Sequence, residues 1–304
     1  MDRLQTMTVF ARVAEEGGFA AAARRLDLSP ASVTRAVSTL ETRLGARLLH
    51  RTTRSVRLTA AGERYLADVR RILAELDEAD RQAAGTHAEP GGRVTVSASV
   101  LFGRMKVTPI LLDLLDRYPR ISVAAIFVDR VVQLLEEGVD IAVRIAELPD
   151  SSLSAIRVGS VRRVLCAAPA YLAAHGRPRT PADLAGHDTI DFIHMTAAGE
   201  WSFDDEGRSR RVRPQPRFLA NNADSTIAAA MAGRGITRVL SYMIAPQLAA
   251  GTLELVLEDY EPPAVPIHVV HKEAGQTSAR VRAVVDGLVE GLRRSAGPDA
   301  PTPG

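Results

Sequence analysis

The sequence contains a single cysteine, Cys166, which excludes an internal disulfide and a cysteine-rich metal site. Hydrophobic residues make up 46% of the 304 residues, yet no apolar run reaches the roughly 18–20 residues that a membrane-spanning helix needs. The N-terminus also lacks the basic and then apolar pattern of a signal peptide. These absences predict a soluble protein of the reducing cytoplasm that makes no membrane contact.

Catalytic and cofactor-binding motifs are also missing. The chain has no His-Glu-x-x-His, P-loop or nucleophile-elbow motif. The glycines at 233 and 235 lack the third glycine of a dinucleotide fingerprint, and His268 and His271, three apart on a predicted strand, point to opposite faces. Cys166 lies in an apolar strand, where we expect a buried, inert thiol. We therefore predict no enzymatic activity, no catalytic or metal-binding residue and no cofactor.

Lysine is almost absent, since Lys106 and Lys272 are the only two, and arginine supplies nearly all of the positive charge. Residues 1–60 carry ten arginines against five acidic residues, a net charge of +5, whereas residues 61–88 sum to −2 and the remaining residues to −1. Genome composition could explain the preference for arginine but not this clustering. Because the guanidinium group suits phosphates and guanine edges, the N-terminal unit is predicted to bind nucleic acid.

Three short helices are predicted in this basic unit. Apolar residues at helical spacing run from Leu4 to Ala14, a second helix covers Ala20–Leu26, and a third covers Ala31–Leu44 with Ser29 as its N-cap. Two helices joined by a short turn form the helix-turn-helix pattern. The arginine-rich residues 47–58 that follow are predicted to form a small basic hairpin, or wing.

A long helix is predicted to begin after Thr59 and to run to about Ala84. Apolar residues at alternating spacings of four and three indicate a coiled-coil seam of about three heptads. The seam consists of Tyr65, Val69, Ile72, Leu76, Ala79 and Ala83. The alternative is an ordinary helix that packs on its own domain. A hinge is expected at residues 89–92.

From Arg93 onward, strand patterns alternate with helix patterns, which predicts an α/β domain with largely parallel sheets. A strand near residues 267–270 is expected to return to the first of two subdomains. The predicted elements are strands at 94–98, 122–128, 139–143, 161–167, 189–193, 236–240 and 266–271, and helices at about 101–117, 130–137, 169–175, 223–232, 243–249 and 277–294.

A long ordered string of motifs fills the N-terminal unit. The motifs are Phe10–Ala23, Leu28-Ser29-Pro30, Val33-Thr34-Arg35, Leu40-Glu41, Leu44-Gly45, Leu48–Thr52 and Leu58–Glu63. This string resembles the LysR-type transcriptional regulators, and the resemblance extends to about Arg294. It departs at Ala20 and Thr34, where the family often has serine, but Thr34 retains a hydroxyl.

The resemblance implies a multidomain chain that binds double-stranded promoter DNA and responds to a small-molecule effector. Such regulators commonly form homotetramers from dimers that pair through the linker helix. The implied domains are an all-α winged helix-turn-helix at 1–58, a dimerising linker helix at 59–88 and an α/β effector domain at 89–304. The effector domain is expected to contain two Rossmann-like subdomains, as in periplasmic binding proteins. Subdomain I covers about 89–163 and 268–294, subdomain II covers about 164–267, and residues 295–304 form a disordered tail.

DNA contacts are expected at the start of the third helix and in the wing, where side chains can reach base edges and phosphates. The candidates are Ser29, Ala31, Ser32, Thr34, Arg35, Arg51, Arg54 and Arg57. For Ser29 the plainer interpretation is a helix cap, which can coexist with a DNA contact, and for Ser32 it is a solvated surface residue.

Effector contacts are expected at the carboxyl ends of strands, where open α/β sheets bind ligands. The candidates are Ser99, Val100, Leu101, Phe102, Val128, Asp129, Arg144, His194 and Asn222. Asn222 is expected to face Ser99 across the cleft, and Asp224 is expected to be a helix N-cap. Arg144 and the helix N-termini favour an anionic effector, although Arg144 could instead form a salt bridge between the subdomains.

Two other classes of function remain open at this point. One is a metabolite-binding protein whose N-terminal helices serve only for assembly, and the other is a catalytic α/β protein. The clustered positive charge and the Ser, Thr and Arg side chains at the start of the third helix favour a regulator over both.

Overall fold

The structure is a computed structural model that describes residues 2–51, 56–83, 90–134, 136–148, 153–193, 199–272 and 278–295. The chain divides into two compact units, Met1–Glu89 with Leu135–Gly138 and Pro90–Leu134 with Val139–Gly304. Of the residues singled out above, Arg54, His194 and the tail from 296 onward lie outside the described residues.

The first unit contains the three short helices, the hairpin and the long helix that the sequence predicts. Ser29 caps the third helix, because its Oγ accepts a hydrogen bond from the Ser32 amide at 3.1 Å, and Gly45 ends that helix at φ +63°. The elements are α1 (Arg3–Glu16), α2 (Phe19–Leu26), α3 (Pro30–Leu44), β1 (Leu49–Arg51), β2 (Val56–Leu58) and α4 (Ala60–Ala83).

The core of this unit draws on α4 as well as on the three short helices. Val69 of α4 is fully buried in the same cluster as Phe10, and the Phe10 and Tyr65 rings lie 5.8 Å apart. Ile72 packs against this cluster too, whereas Leu76 is exposed. The first half of the predicted seam packs on its own domain, as the alternative interpretation has it, and pairing of α4 with a second chain stays a prediction. The side chains of the last two seam positions, 79 and 83, lie outside the description.

The second unit contains two five-stranded sheets, ordered β4-β3-β5-β14-β6 and β11-β8-β12-β7-β13. Its elements are β3 (Gly92–Ala98), α5 (Val100–Phe102), a π-helical turn (Gly103–Val107), α6 (Thr108–Arg117), β4 (Ile121–Phe127), β5 (Ile141–Ile145), β6 (Leu153–Val161), β7 (Arg163–Ala167), α7 (Pro169–His175), a 3₁₀ turn (Pro181–Gly186), β8 (Thr189–Phe192), β9 (Trp201–Asp205), β10 (Arg208–Val212), β11 (Pro216–Ala220), α8 (Ala223–Met231), β12 (Ile236–Leu240), a 3₁₀ turn (Ser241–Met243), α9 (Ala245–Ala249), β13 (Glu254–Val256), a 3₁₀ turn (Glu258–Tyr260), β14 (Val265–Lys272) and α10 (Ala279–Ser295).

Both sheets are mixed, which corrects the prediction of largely parallel sheets. β14 returns to the first sheet as expected, but it runs antiparallel to its neighbours β5 and β6. In the second sheet β7 is antiparallel to β12 and β13. The single strand predicted at 161–167 is two strands, β6 and β7, that belong to different sheets. Pairing across the chain decides this membership, and no local pattern shows it.

Some local predictions also fail in this unit. The helix predicted at 130–137 does not form among the described residues of that segment, and the sequence analysis missed strands β9, β10, β11 and β13. The helix predicted at 101–117 is present, but a π-helical turn interrupts it. Gly103 opens this turn, where an added Cβ would lie 2.4 Å from the Phe127 ring. No helix among the described residues is long and apolar enough to cross a membrane.

Candidate functional site

The start of α3 presents polar side chains on an exposed face. Val33 and Val37 on the opposite face are fully buried, which leaves Ala31, Thr34 and Arg35 exposed. The Thr34 hydroxyl donates to the Pro30 carbonyl at 2.9 Å and keeps its lone pairs for a further donor.

Ser29 caps α3 as the plainer interpretation has it, whereas Ser32 is bonded to Ser29 and is not simply a solvated surface residue. The Ser29 and Ser32 hydroxyls bond to each other at 2.8 Å, in addition to the cap that Ser29 makes. Ser29 is exposed and Ser32 is half-buried. Both hydroxyls therefore stabilise the start of the helix and lie beside the exposed face of Thr34 and Arg35.

The wing is an antiparallel pair of strands in which His50 pairs with Arg57. Val56 and Leu58 are half-buried and pack against the core, whereas Arg57 between them is exposed. The backbone of Arg51 lies in β1, and its side chain is outside the description.

Hydrogen bonds fix the wing to both neighbouring helices. The Glu41 carboxylate on α3 accepts from the Leu48 and Leu49 amides at 2.9 and 3.2 Å. The Thr59 hydroxyl donates to the Arg47 carbonyl at 2.8 Å and accepts from the Gly62 amide at 2.9 Å. Sequence analysis gave Glu41 and Gly62 no role beyond the family motif, and the structure shows that both position the wing.

In the second unit, three candidate effector residues lie side by side at the carboxyl ends of parallel strands. The register pairs Ala98 with Phe127 and Ser97 with Ala142. Continued by one or two residues, this register places Ser99 level with Val128 and Arg144 on the two neighbouring strands. Adjacent strands are about 4.8 Å apart, so the three residues form one row.

Ser99 occupies the N-cap position of α5 but does not cap it. Instead, the Asp129 carboxylate accepts a hydrogen bond from the Val100 amide at 2.9 Å. The Ser99 hydroxyl oxygen is buried, and no described residue lies at hydrogen-bonding distance and angle from it. Leaving a buried hydroxyl without a hydrogen-bond partner costs free energy.

Tyr242 approaches this row from the second sheet, in the 3₁₀ turn after β12. Its ring meets the Phe102 ring edge-to-face, with centroids 5.2 Å apart. Burial raises the pKa of the Tyr242 phenol, the nearby Ser99 hydroxyl lowers it, and the Asp129 charge raises it. Sequence analysis missed Tyr242, although the strand-end rule that selected Ser99 applies equally to the end of β12.

Arg144 makes a hydrogen bond that the sequence did not suggest, and Asp224 does not cap α8. The Arg144 guanidinium donates to the Val132 carbonyl at 2.7 Å, in the segment between β4 and β5, and burial lowers the pKa of Arg144. An ion pair between Arg104 and Asp224, at 3.3 Å, joins the two halves of this unit. The expected N-cap role of Asp224 is wrong, because Asn222 caps α8.

Asn222 caps α8, and its predicted position opposite Ser99 stays a prediction. Its Oδ1 accepts from the Ser225 amide at 2.9 Å, which is the N-cap interaction of α8. It makes no hydrogen bond to Ser99 among the described residues, where Tyr242 lies instead.

Leu101 and Phe102 are buried beside Ser99, with 4% and 3% of their surface exposed, and they extend the site with apolar surface.

Burial raises the pKa of the Cys166 thiol to about 12, as expected of an inert side chain. The described residues contain no group of three or more His, Cys, Asp or Glu side chains placed to hold a metal ion.

Comparison with known proteins identifies both units. Residues 4–63 match the family of bacterial regulatory helix-turn-helix proteins of the lysR type, and residues 87–293 match the LysR substrate binding domain. The transcriptional activator AaeR of Escherichia coli is 33% identical over 290 residues, which are 95% of this chain and 94% of AaeR. The regulator CrgA of Neisseria meningitidis is 31% identical over 95% of this chain and 96% of CrgA.

Solved structures of full-length regulators also superpose on this chain. CrgA of Neisseria meningitidis gives a TM-score of 0.61 at 30% identity and covers 96% of this chain and 99% of its own. The virulence activator AphB of Vibrio cholerae gives 0.62 at 25% identity and covers 95% of this chain and 99% of its own. The chain therefore belongs to the LysR family of DNA-binding transcriptional regulators, which are not enzymes and which bind a small-molecule effector through the C-terminal domain.

Proposed function

We propose that the exposed face at the start of α3 contacts promoter DNA in the major groove. The observation that supports this is the burial of Val33 and Val37, which turns Thr34 and Arg35 outward. Arg35 can donate two hydrogen bonds to a guanine edge, and the Thr34 hydroxyl can bind a phosphate. The proposed contacts on α3 are Ser29, Ala31, Ser32, Thr34 and Arg35.

The wing arginines at 51, 54 and 57 are proposed to bind phosphates on either side of this contact. Arg57 is exposed between two side chains that anchor its strand to the core. Phosphate contacts carry no sequence information, so we expect the wing to set affinity and orientation rather than base preference.

The effector is proposed to bind at the row of Ser99, Val128 and Arg144, opposite Tyr242. The observation that carries this proposal is the buried Ser99 hydroxyl, which Asp129 frees from capping. Leu101 and Phe102 add apolar contacts. Val100 contributes only its side chain, because Asp129 already occupies its amide. His194 and Asn222 stay as predicted contacts.

An anionic effector is proposed on the strength of Arg144 alone. Asp129 already occupies the helix terminus that also favoured an anion. The bond to Val132 uses one of the several donors of the guanidinium group, and the others can bind a carboxylate. An effector bound here touches both halves of the unit. It can change the arrangement of the two halves only if it binds one arrangement more tightly than the other.

Thermal unfolding of the full chain with small carboxylates, amino acids and aromatic acids tests the effector site. A ligand at ~100 times its Kd adds about 2.7 kcal/mol, which should raise the unfolding midpoint by roughly 5–11 °C. Arg144→Gln should weaken binding roughly 10- to 100-fold, which removes about half of this rise at the lower end of that range and most of it at the upper end, and Ser99→Ala should reduce the rise.

Matched controls lie at the opposite ends of the same strands. Arg93→Gln at the start of β3 and Ser122→Ala at the start of β4 change exposed residues and should leave the rise intact. A ligand whose stabilising effect is unchanged in both Ser99→Ala and Arg144→Gln would place the effector elsewhere.

Assembly as a homotetramer is proposed to use two different surfaces. The exposed Leu76 lies on α4 beyond the residues that pack on its own core, and it is proposed to pair two chains. The edge strands β4 and β11 expose Ile126, Phe218 and Leu219 and are proposed to join dimers, because exposed apolar edges invite pairing.

Light scattering after size-exclusion chromatography should give a lower molar mass for a variant of either surface. Leu76→Glu should dissociate the α4 pair, whereas Leu219→Glu should leave dimers. Val131→Glu changes an exposed apolar residue outside both surfaces and should have no effect. An unchanged tetramer in both test variants would contradict these surfaces.

The protein is proposed to work in the cytoplasm, where its promoter DNA lies.

A further inference from the structure

Four side chains on or beside the second sheet, three of them buried and Arg163 half-buried, form a group, the Arg238 cluster, that contains none of the proposed effector contacts. Its members are Arg238 on β12, Arg163 on β7, Asp191 on β8 and Trp201 on β9. Arg238 is 2% exposed and Trp201 is fully buried. The guanidinium carbon of Arg238 lies 5.3 Å from the centre of the Trp201 ring, in cation–π contact.

The cluster has hydrogen-bond donors without acceptors. The Nε and Nη1 atoms of Arg238, the Nε of Arg163 and the indole Nε1 of Trp201 are buried and find no partner among the described residues. The one bond that Arg238 makes, from Nη2 to the Glu200 carbonyl, is long at 3.4 Å. Because every unsatisfied atom is a donor, the missing partner must be an acceptor.

The nearby carboxylates do not fill this role. The Asp191 carboxylate accepts from the Phe192 amide at 2.9 Å and forms no ion pair with Arg238. The Glu200 carboxylate pairs with Arg211 at 3.7 Å. Residues 194–198, which precede β9 and lie outside the description, contain no Asp or Glu.

The cluster is cationic at neutral pH. Burial and the neighbouring Arg163 charge together lower the pKa of Arg238 to about 10, and the Asp191 charge opposes this shift. Arg238 therefore stays protonated near pH 7, next to a second arginine and a single carboxylate. Two arginines and one carboxylate leave an excess positive charge in a largely buried place, which is unfavourable unless an anion balances it.

We propose that the Arg238 cluster binds a small oxyanion, a phosphate or a carboxylate, at a site separate from the effector row. The oxyanion accepts hydrogen bonds from the arginine nitrogens and the indole N–H and neutralises the second positive charge. Charge-assisted bonds of this kind are the strong class of hydrogen bond. Such a ligand stabilises the second sheet by mass action whether or not an effector is bound.

Trp201 allows a direct test because it is the only tryptophan in the chain, so its fluorescence reports from within the cluster. The full chain is titrated with sodium phosphate and separately with sodium acetate, against sodium chloride of equal ionic strength. We expect a saturable change in Trp201 fluorescence with at least one oxyanion and none with chloride. The arm that responds identifies which oxyanion binds.

Variants separate this site from the basic N-terminal unit. Arg163→Gln should raise the Kd roughly 10- to 100-fold, and Arg238→Lys should also weaken binding. Arg208→Gln, an exposed change in the same unit, should leave the Kd unchanged. Because Arg238→Lys could impair folding, Arg163→Gln is the deciding variant, with its fold checked by circular dichroism. No saturable change with either oxyanion, or an unchanged Kd in Arg163→Gln, would overturn the proposal.

Discussion

Replacing Gly62 by alanine should displace the wing and destabilise the first unit by about 3 kcal/mol or more. A Cβ added at Gly62 would lie 2.0 Å from the Leu48 carbonyl oxygen and 2.9 Å from its carbon. That oxygen cannot easily retreat, because it accepts the Thr59 amide at 2.9 Å. The same contact joins the wing to α4, so we expect DNA affinity to fall together with stability.

Thermal unfolding and DNA binding of Gly62→Ala measure these two losses. Gly186→Ala is the matched control, since an added Cβ there meets nothing within 4 Å and the backbone needs no left-handed conformation. If Gly62→Ala unfolds and binds DNA as the unaltered chain does, the close approach to Leu48 does not position the wing.

The second large effect is expected for Arg35→Gln, which removes the guanidinium group from the exposed face of α3. A good bidentate contact to a base is worth about 1–3 kcal/mol, so affinity for the target DNA should fall roughly 5- to 150-fold. Affinity for unrelated DNA should fall much less.

Arg57→Gln should weaken binding to all sequences. It should also reduce the slope of the logarithm of the binding constant against the logarithm of the salt concentration by about one.

Fluorescence anisotropy with labelled DNA across a range of salt concentrations measures both variants. Arg12→Gln is the control, because Arg12 pairs with Glu15 on α1 and is not among the proposed contacts. An Arg35→Gln protein that binds its target as tightly as the unaltered chain would remove α3 from base recognition.

Local signals account for the parts of the fold that the sequence predicts. Ser29 and Gly45 delimit α3 because capping and left-handed backbone are decided by a few neighbouring residues. The break between β6 and β7 at Arg162 has no comparable local signal, because each strand is assigned by partners more than 70 residues away. Apolar spacing also does not show that the first half of the α4 seam packs on its own core, since a helix that packs on a second chain has the same spacing.

Strand ends predict part of the candidate site. The rule finds Ser99, Val128 and Arg144, which the register aligns, and it would have found Tyr242 after β12. It does not show that Asp129 acts on the Val100 amide, because that contact depends on how the chain turns after β4. A buried Arg238 is not visible either, since the sequence gives no sign that β9 covers it.

The central claim is that this chain binds promoter DNA through α3 and the wing, and a footprint on the DNA upstream of its own gene tests it most directly. The full chain is titrated at several salt concentrations, and the protected bases are mapped. We expect two protected half-sites, with a binding constant that falls steeply with salt because arginines displace counterions from phosphates. No salt-sensitive protection on that DNA would contradict the claim and would favour N-terminal helices that serve only for assembly.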